Sequence, residues 1–391
     1  MKPLRLTFLT DIPTPYVVAV LGALSKRCDL TVLFCSYSGT RALAWEFSDI
    51  PFRHRVIGGL AVRRRGSDAA DFYLSPRILA ILARSRPEAI ISGAFSFPSL
   101  YAAAYARLTG AGLVIYSDGT GRSEVSIGRG QQLTRRILVR ASHAAAGNSA
   151  QAAERLVELG WAPDRVFQVP HTTNVGPFHE VARTRRYRTD EGLCVLHVGR
   201  LIPRKGVDRL ISAIHCARKE GADVRLVIVG SGPEESALHA QAERLGVPAV
   251  WHGFVDQIGL PPQYAAADAF AFPTLMDPFG IVLLEAAASG LPLIASPHAG
   301  ATGDLIRDGE TGFVVEPDDL AELTRALVTL ARDPELRERM GRSAHGRTVN
   351  RTPQASAEEY LRAAEAVRSG RRRARCFSAP LTSGDSHPDA R

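Results

Sequence analysis

Along the first 150 residues, short apolar runs alternate with longer segments of helical period. LRLTFLT, DLTVLFC, AIISG, GLVIYSD and HAAAGNS have strand length, whereas YVVAVLGALSKR and LSPRILAILARSR repeat their apolar positions every three to four residues. Such alternation predicts a parallel sheet covered by helices. The stretch VPHTTNVGPFHEVARTRRYRTDEG, rich in Pro, Arg and small polar residues, interrupts it, and a second series follows in LCVLHVGRL, DVRLVIVGSG, AVWHGF, AFAFPT, PLIASP and GFVVEP. The pattern predicts two doubly wound α/β domains, over residues 1–176 and 191–353, joined by a linker at 177–190. Residues 354–369, QASAEEYLRAAEAVRS, have a clean amphipathic period and are expected to form a helix that packs back on the first domain. Residues 370–391 mix charge, Pro and Ser without a period and read as a disordered basic tail.

Length and composition agree with two cores, since 391 residues at 45% hydrophobic content exceed what one core usually accommodates. No stretch approaches the roughly 18 to 20 apolar residues of a membrane span, and the chain reads as cytoplasmic. Five scattered cysteines, Cys28, Cys35, Cys194, Cys216 and Cys376, support neither a disulfide framework nor a zinc site. A net charge of +8, clustered in FRHRV, VRRRG, ARTRRYR and RRRAR, favours anionic partners, although solvated surface explains such clusters equally well. No aromatic-interleaved basic motif argues for nucleic acid.

In open α/β sheets ligands bind beyond the carboxyl ends of the strands, so the loops there carry the candidate chemistry. HVGRLIPRKGVDRL places Arg200 and Lys205 around a turn before a helix beginning near Val207 or Asp208, and two cations at a strand end suit a diphosphate. IVGSGPEES has Glu235 where a dinucleotide fingerprint needs its third glycine, which argues against a nicotinamide enzyme. In PTLMDPFGIVLLEAAASGLP, Asp277 is expected as an N-cap and Pro278 as the first residue of a helix of about three turns. The N–H groups around Phe279, Gly280 and Ile281 would then form an anion site. Glu285, an acid on an apolar helix, needs a polar partner if buried, and its spacing from Asp277 predicts that both share one helix face.

These segments resemble glycosyltransferase family 4, retaining enzymes of the GT-B fold. The resemblance runs in order and spacing through HVGRLIPRKGVDRLISAI, RLVIVGSGPEESAL, HGFV, YAAADAFAFPTLMDPFGIVLLEAAASGLPLIAS and GATGDLIRDGETGFVVEPDD. GNSAQAAERLVELGWAPDRVFQVPHTTN is similar to the end of the family's first domain, and residues 1–140 match only loosely. The resemblance implies two Rossmann-like domains facing each other across a cleft, the acceptor on the first and the nucleotide-sugar donor on the second. It places Glu285 on the donor ribose, Asp277 near the donor sugar, Arg200 and Lys205 on the diphosphate, and Gly280, Ile281 and Val282 at the phosphates. Asp277, Glu285, Arg200 and Lys205 are accordingly the catalytic candidates. Asp277 stands where glutamate is usual, one methylene shorter.

The family's Gly-rich loop after the first strand is replaced here by TDIPTPYVVAV, where Asp11, Thr14 and Tyr16 are acceptor candidates by position and PTPY reads equally as a rigid turn. Asp118 and Gly119 in YSDGTGRS are further acceptor candidates, with an ordinary Asp-Gly turn as the alternative. The implied reaction is transfer of a sugar from a nucleoside diphosphate sugar to an acceptor hydroxyl with retention, without metal or other cofactor, the chain having no Asp-x-Asp pair. A nucleotide-sugar epimerase on the same fold and a non-catalytic nucleotide-sugar binding protein are the alternatives. Glycans, lipid-linked glycans and small molecules, phosphorylated ones included, all stand as acceptors. The basic loop FRHRVIGGLAVRRRG also admits peripheral contact with an anionic membrane at its inner face.

Overall fold

The computed structural model describes residues 2–36, 50–58, 60–62, 72–125, 127–187 and 192–376. Two all-parallel sheets organise them. In the first, seven strands lie in the spatial order His54–Val56, Asp29–Phe34, Arg5–Thr10, Ala89–Gly93, Gly112–Ser117, Ala144–Gly147 and Val166–Gln168. In the second, six strands lie in the order Ala249–Trp251, Val224–Val229, Leu193–Val198, Ala269–Phe272, Leu293–Ala295 and Gly312–Val314. Strand order reverses between Arg5–Thr10 and Ala89–Gly93 in one sheet, and between Leu193–Val198 and Ala269–Phe272 in the other. Connections on the two sides of such a point leave in opposite directions and open a crevice there.

Both faces of each sheet are buried, which is why the strands read as nearly unbroken apolar runs. In the first strand Leu6 and Phe8 face one core cluster and Leu9 the other, as a period of two requires. The three-residue strands His54–Val56, Leu60–Val62, Phe72–Leu74 and Val166–Gln168 were not anticipated, because three residues are too few to show a period. Residues 59 and 63–66 of the basic loop at 52–66 lie outside the described residues.

Two boundaries differ from the sequence expectation. The segment expected as a linker at 177–190 contains a helix, Gly176–Thr184, whose Phe178 is buried in the second domain's core beside Tyr264. The many arginines obscured one well-placed aromatic anchor. The C-terminal helix runs Pro353–Cys376, so residues 370–376 are helical rather than disordered, in keeping with the helix propensity of arginine and alanine. Residues 377–391 lie outside the described residues. Along that helix Ala357, Tyr360, Ala363, Ala364 and Val367 form an apolar stripe against the first sheet.

Asp304, in the short helix Thr302–Leu305, ties the domains together. Its Oδ1 accepts the Ala150 N–H at 3.1 Å, at the start of the first-domain helix Ala150–Leu159, and the Gln168 amide at 3.3 Å. Its Oδ2 lies 3.0 Å from Arg351 Nη2. A carboxylate on a helix N-terminus interacts favourably with the positive end of the helix dipole as well as satisfying an open N–H. Removing it would strand the Arg351 cation in a poorly solvated setting, so Asp304→Ala is expected to lower the unfolding free energy by about 3 kcal/mol in a urea titration.

Candidate active site

The loop after strand Leu193–Val198 is built by backbone contacts. Gly199 N–H donates to Val229 O at 2.9 Å, Leu201 N–H to Ser231 O at 3.0 Å, and Glu234 N–H to Leu201 O at 3.1 Å. A Cβ on Gly230 would lie 1.8 Å from Gly199 O, so the glycines of VGSG serve to let this loop lie against its neighbour. The helix that follows VGSG begins at Glu235, two residues beyond Pro233. Beyond Arg200, a 3-10 turn at Pro203–Lys205 leads into the helix Val207–Lys219 through Gly206, whose φ of +69° favours glycine. A side chain on Gly206 would also meet Pro273 O at 2.1 Å. Two loops that start from adjacent strands at the switch point are thereby pressed together.

That contact sets the electrostatics. Lys205 is 9% exposed, and its Nζ lies 2.5 Å from Asp277 Oδ2 and 4.7 Å from the centroid of Phe272. Arg204 donates from Nη1 to Met276 O at 2.8 Å and lies 3.6 Å from the same carboxylate. Burial alone would raise the Asp277 pKa; Lys205, Arg204 and the Phe279 N–H together hold it below the ordinary carboxylate value. Arg200 is exposed at the loop's edge. Arg204 was missed from sequence, although its place beside Lys205 was a usable signal.

Asp277 is not the helix N-cap. Its Oδ1 accepts the Phe279 N–H at 3.1 Å in a local turn, and the helix runs Ile281–Ala288 with Gly280 at the cap, φ +86°. The left-handed residue redirects the chain after Pro278, and the helix has about two turns rather than three. Asp277 and Glu285 therefore do not share a helix face. The N–H groups of Gly280, Ile281 and Val282 donate to no backbone carbonyl among the described residues, while that of Phe279 is taken by Asp277. The open donors thus lie one residue later than expected.

Glu285 is 4% exposed and accepts the Tyr264 hydroxyl at 2.9 Å, the polar partner its burial demands. Tyr264 itself was not singled out from sequence. Burial pushes the Glu285 carboxyl up to about 7, with the Tyr264 hydrogen bond opposing.

Across from these loops the first sheet's strand ends enclose a cavity of about 470 Å³. Asp11, Thr14, Tyr16 and Asp118 line it together with Asn148, His171 and Tyr360, and Pro278 of the second domain closes one side. Thr14 also caps the helix Pro15–Ser25 by accepting the Val17 N–H at 3.4 Å, which accounts for the PTPY sequence. Gly119 does not line the cavity. A Cβ there would meet Glu124 Oε1 at 2.7 Å, and Glu124 is buried between Arg135, at 2.5 Å, and Arg155, at 3.0 Å, so Gly119 serves the packing of its own loop.

His171, present in VPHTTN but not singled out, bridges the two halves. Its ring centroid lies 5.1 Å from that of Tyr16 and 4.5 Å from that of Phe279, edge to face in both cases. Desolvation, with the Arg351 charge, pushes its pKa down to about 4 despite the opposing Asp277 charge, so the ring is neutral at physiological pH.

The raised Glu285 pKa has a defined sign. The unfolded carboxyl loses its proton near 4.5 and the folded one near 7, so the protein loses stability as pH rises between those values and holds the deficit above them. Glu285→Gln is expected to be more stable than the parent by an amount that grows over that window towards a value on the order of 3 kcal/mol, read by denaturant titration at a series of pH values.

Residues 183–347 match the family described as Glycosyl transferases group 1. The chain is 38% identical over 170 residues to the GDP-mannose-dependent alpha-(1-6)-phosphatidylinositol monomannoside mannosyltransferase of Mycolicibacterium smegmatis, covering 41% of this chain and 44% of that one. It is 31% identical over 215 residues to the lipopolysaccharide core biosynthesis glycosyltransferase LpsE of Rhizobium meliloti, covering 55% and 62%. The chain thus spans about half the length of these curated relatives. The Anabaena HepE structure in complex with UDP superposes with a TM-score of 0.73 at 20% identity, over 94% of this chain and all of that one. The chain has the GT-B fold, two Rossmann-like domains with their strand ends opposed, and its second domain carries the sequence match to glycosyl transferases group 1.

Proposed function

We propose that this protein is a retaining glycosyltransferase of family 4 that moves a sugar from a nucleoside diphosphate sugar to an acceptor hydroxyl, without a metal, in the assembly of a cell-surface glycan or a small-molecule glycoside. The observation that carries the reading is the convergence, at the second sheet's switch point, of Lys205, Arg204, Asp277 and the open N–H groups at the start of helix Ile281–Ala288. Cations and helix N–H groups fixed in place suit the charge that grows on a leaving diphosphate. Lys205 has three donors and can hold Asp277 and a phosphate oxygen together. In this reading Arg200 completes the diphosphate grip, Asp277 meets the donor sugar, and Glu285 accepts from the ribose hydroxyls. The acceptor occupies the cavity across the cleft, with Asp11, Thr14, Tyr16 and Asp118 around it, and its placement against the donor supplies much of the rate.

Binding and turnover test the assignment. With uridine, guanosine, adenosine and thymidine diphosphates each added to excess, one is expected to stabilise the native protein, by about 2.7 kcal/mol at a hundredfold excess over its dissociation constant. An Arg200→Ala, Lys205→Ala double variant is expected to lose that stabilisation while its unliganded fold persists. Equal stabilisation of parent and variant would remove the diphosphate from this loop. Binding without turnover on any matching sugar donor would favour the binding-protein reading.

A further inference from the structure

The two sides of the cleft differ in sign. The donor side presents Arg200, Arg204 and Lys205, whereas the described lining of the first-domain cavity contains Asp11 and Asp118 and neither lysine nor arginine. Asn148 lines the same cavity and is 8% exposed. Asp11 and Asp118 bring carboxylates to the lining, and a carboxylate has about four lone-pair sites, so bonds elsewhere leave room for a ligand. The rings of Tyr116 and Tyr360 supply flat apolar walls, and the volume of about 470 Å³ falls in the lower part of the small-molecule range.

We propose that this cavity takes a compact polyhydroxylated acceptor bearing an amine, and rejects a phosphorylated one. The proposal rests on the transferase reading above and names its acceptor class. The tyrosine-walled pocket holds the ring's apolar face. An ammonium makes charge-assisted hydrogen bonds with Asp11 and Asp118, stronger than those of a hydroxyl. A phosphate in the same space would face like charges at short range in a partly desolvated setting. On this reading phosphorylated acceptors, which the net charge of the chain had admitted, are disfavoured, since no arginine or lysine is among the described residues that line the cavity.

The test uses three probes that share one ring, glucosamine, glucose and glucose 6-phosphate, titrated by ligand-observed NMR at mildly acidic pH with and without the stabilising nucleoside diphosphate. Glucosamine is expected to bind about 10-fold more tightly than glucose, and glucose 6-phosphate to show no saturable binding. The Asp11→Asn, Asp118→Asn double variant should bind glucosamine and glucose equally; if the double variant fails to fold, Asp118→Asn alone should narrow the difference. The proposal is overturned if glucose 6-phosphate binds as tightly as glucosamine, if the amine preference survives in the variant, or if no sugar binds. Should the sugars rank as expected while no nucleoside diphosphate stabilises the protein, the cavity assignment holds and the transferase reading falls.

Discussion

The relation between the two domains turns on one buried carboxylate. Asp304 reaches from the second domain to the first N–H of a first-domain helix and pairs with Arg351, which leads into the C-terminal helix. Arg347 donates to the Asp304 carbonyl at 3.1 and 2.8 Å, and Gln151 donates to Pro297 O at 3.1 Å. These are polar bonds between rigid elements. They hold two crevices opposite each other that would otherwise be separate surface features, and polar contacts of this kind can be exchanged for others when domains move.

Within that frame the described residues set Arg200, Arg204 and Lys205 on one wall of the cleft and Asp11 and Asp118 on the other. The pair formed by Lys205 and Asp277 gives a largely buried lysine a carboxylate partner, with Phe272 beneath it. Glu285 is handled differently, with a tyrosine in place of a cation, so its proton is retained to near neutrality. Two acids eight positions apart thus have opposite pKa shifts because of what packs around them, as expected when burial and charge pairing compete. His171 stands where the walls meet, neutral and wedged between Tyr16 and Phe279.

Much of this was legible in the chain. Alternating apolar runs specified both sheets, because strands buried on two faces must be apolar throughout, and the turn chemistry of HVGRLIPRKG marked Lys205 before helix Val207–Lys219. The misplaced N-cap shows where local rules stop. Asp277 followed by Pro278 has every mark of a helix start, yet Gly280 takes a left-handed conformation that moves the start to Ile281. The helix within the expected linker was hidden for a similar reason, since a single Phe178 anchors it among many charges.

By itself, then, the sequence determined the two-domain α/β plan, the strand ends on which chemistry collects, and the residue types found there, since these follow from periodicity and backbone preference along short segments. Tertiary structure alone decided that Lys205 pairs with Asp277 72 positions away, that Glu285 faces Tyr264, and that Asn148, His171 and Tyr360 gather around Asp11 and Asp118. Such meetings depend on which strands neighbour one another and on how two domains dock. Both are set by summed burial and close packing over the whole chain, which no local pattern encodes.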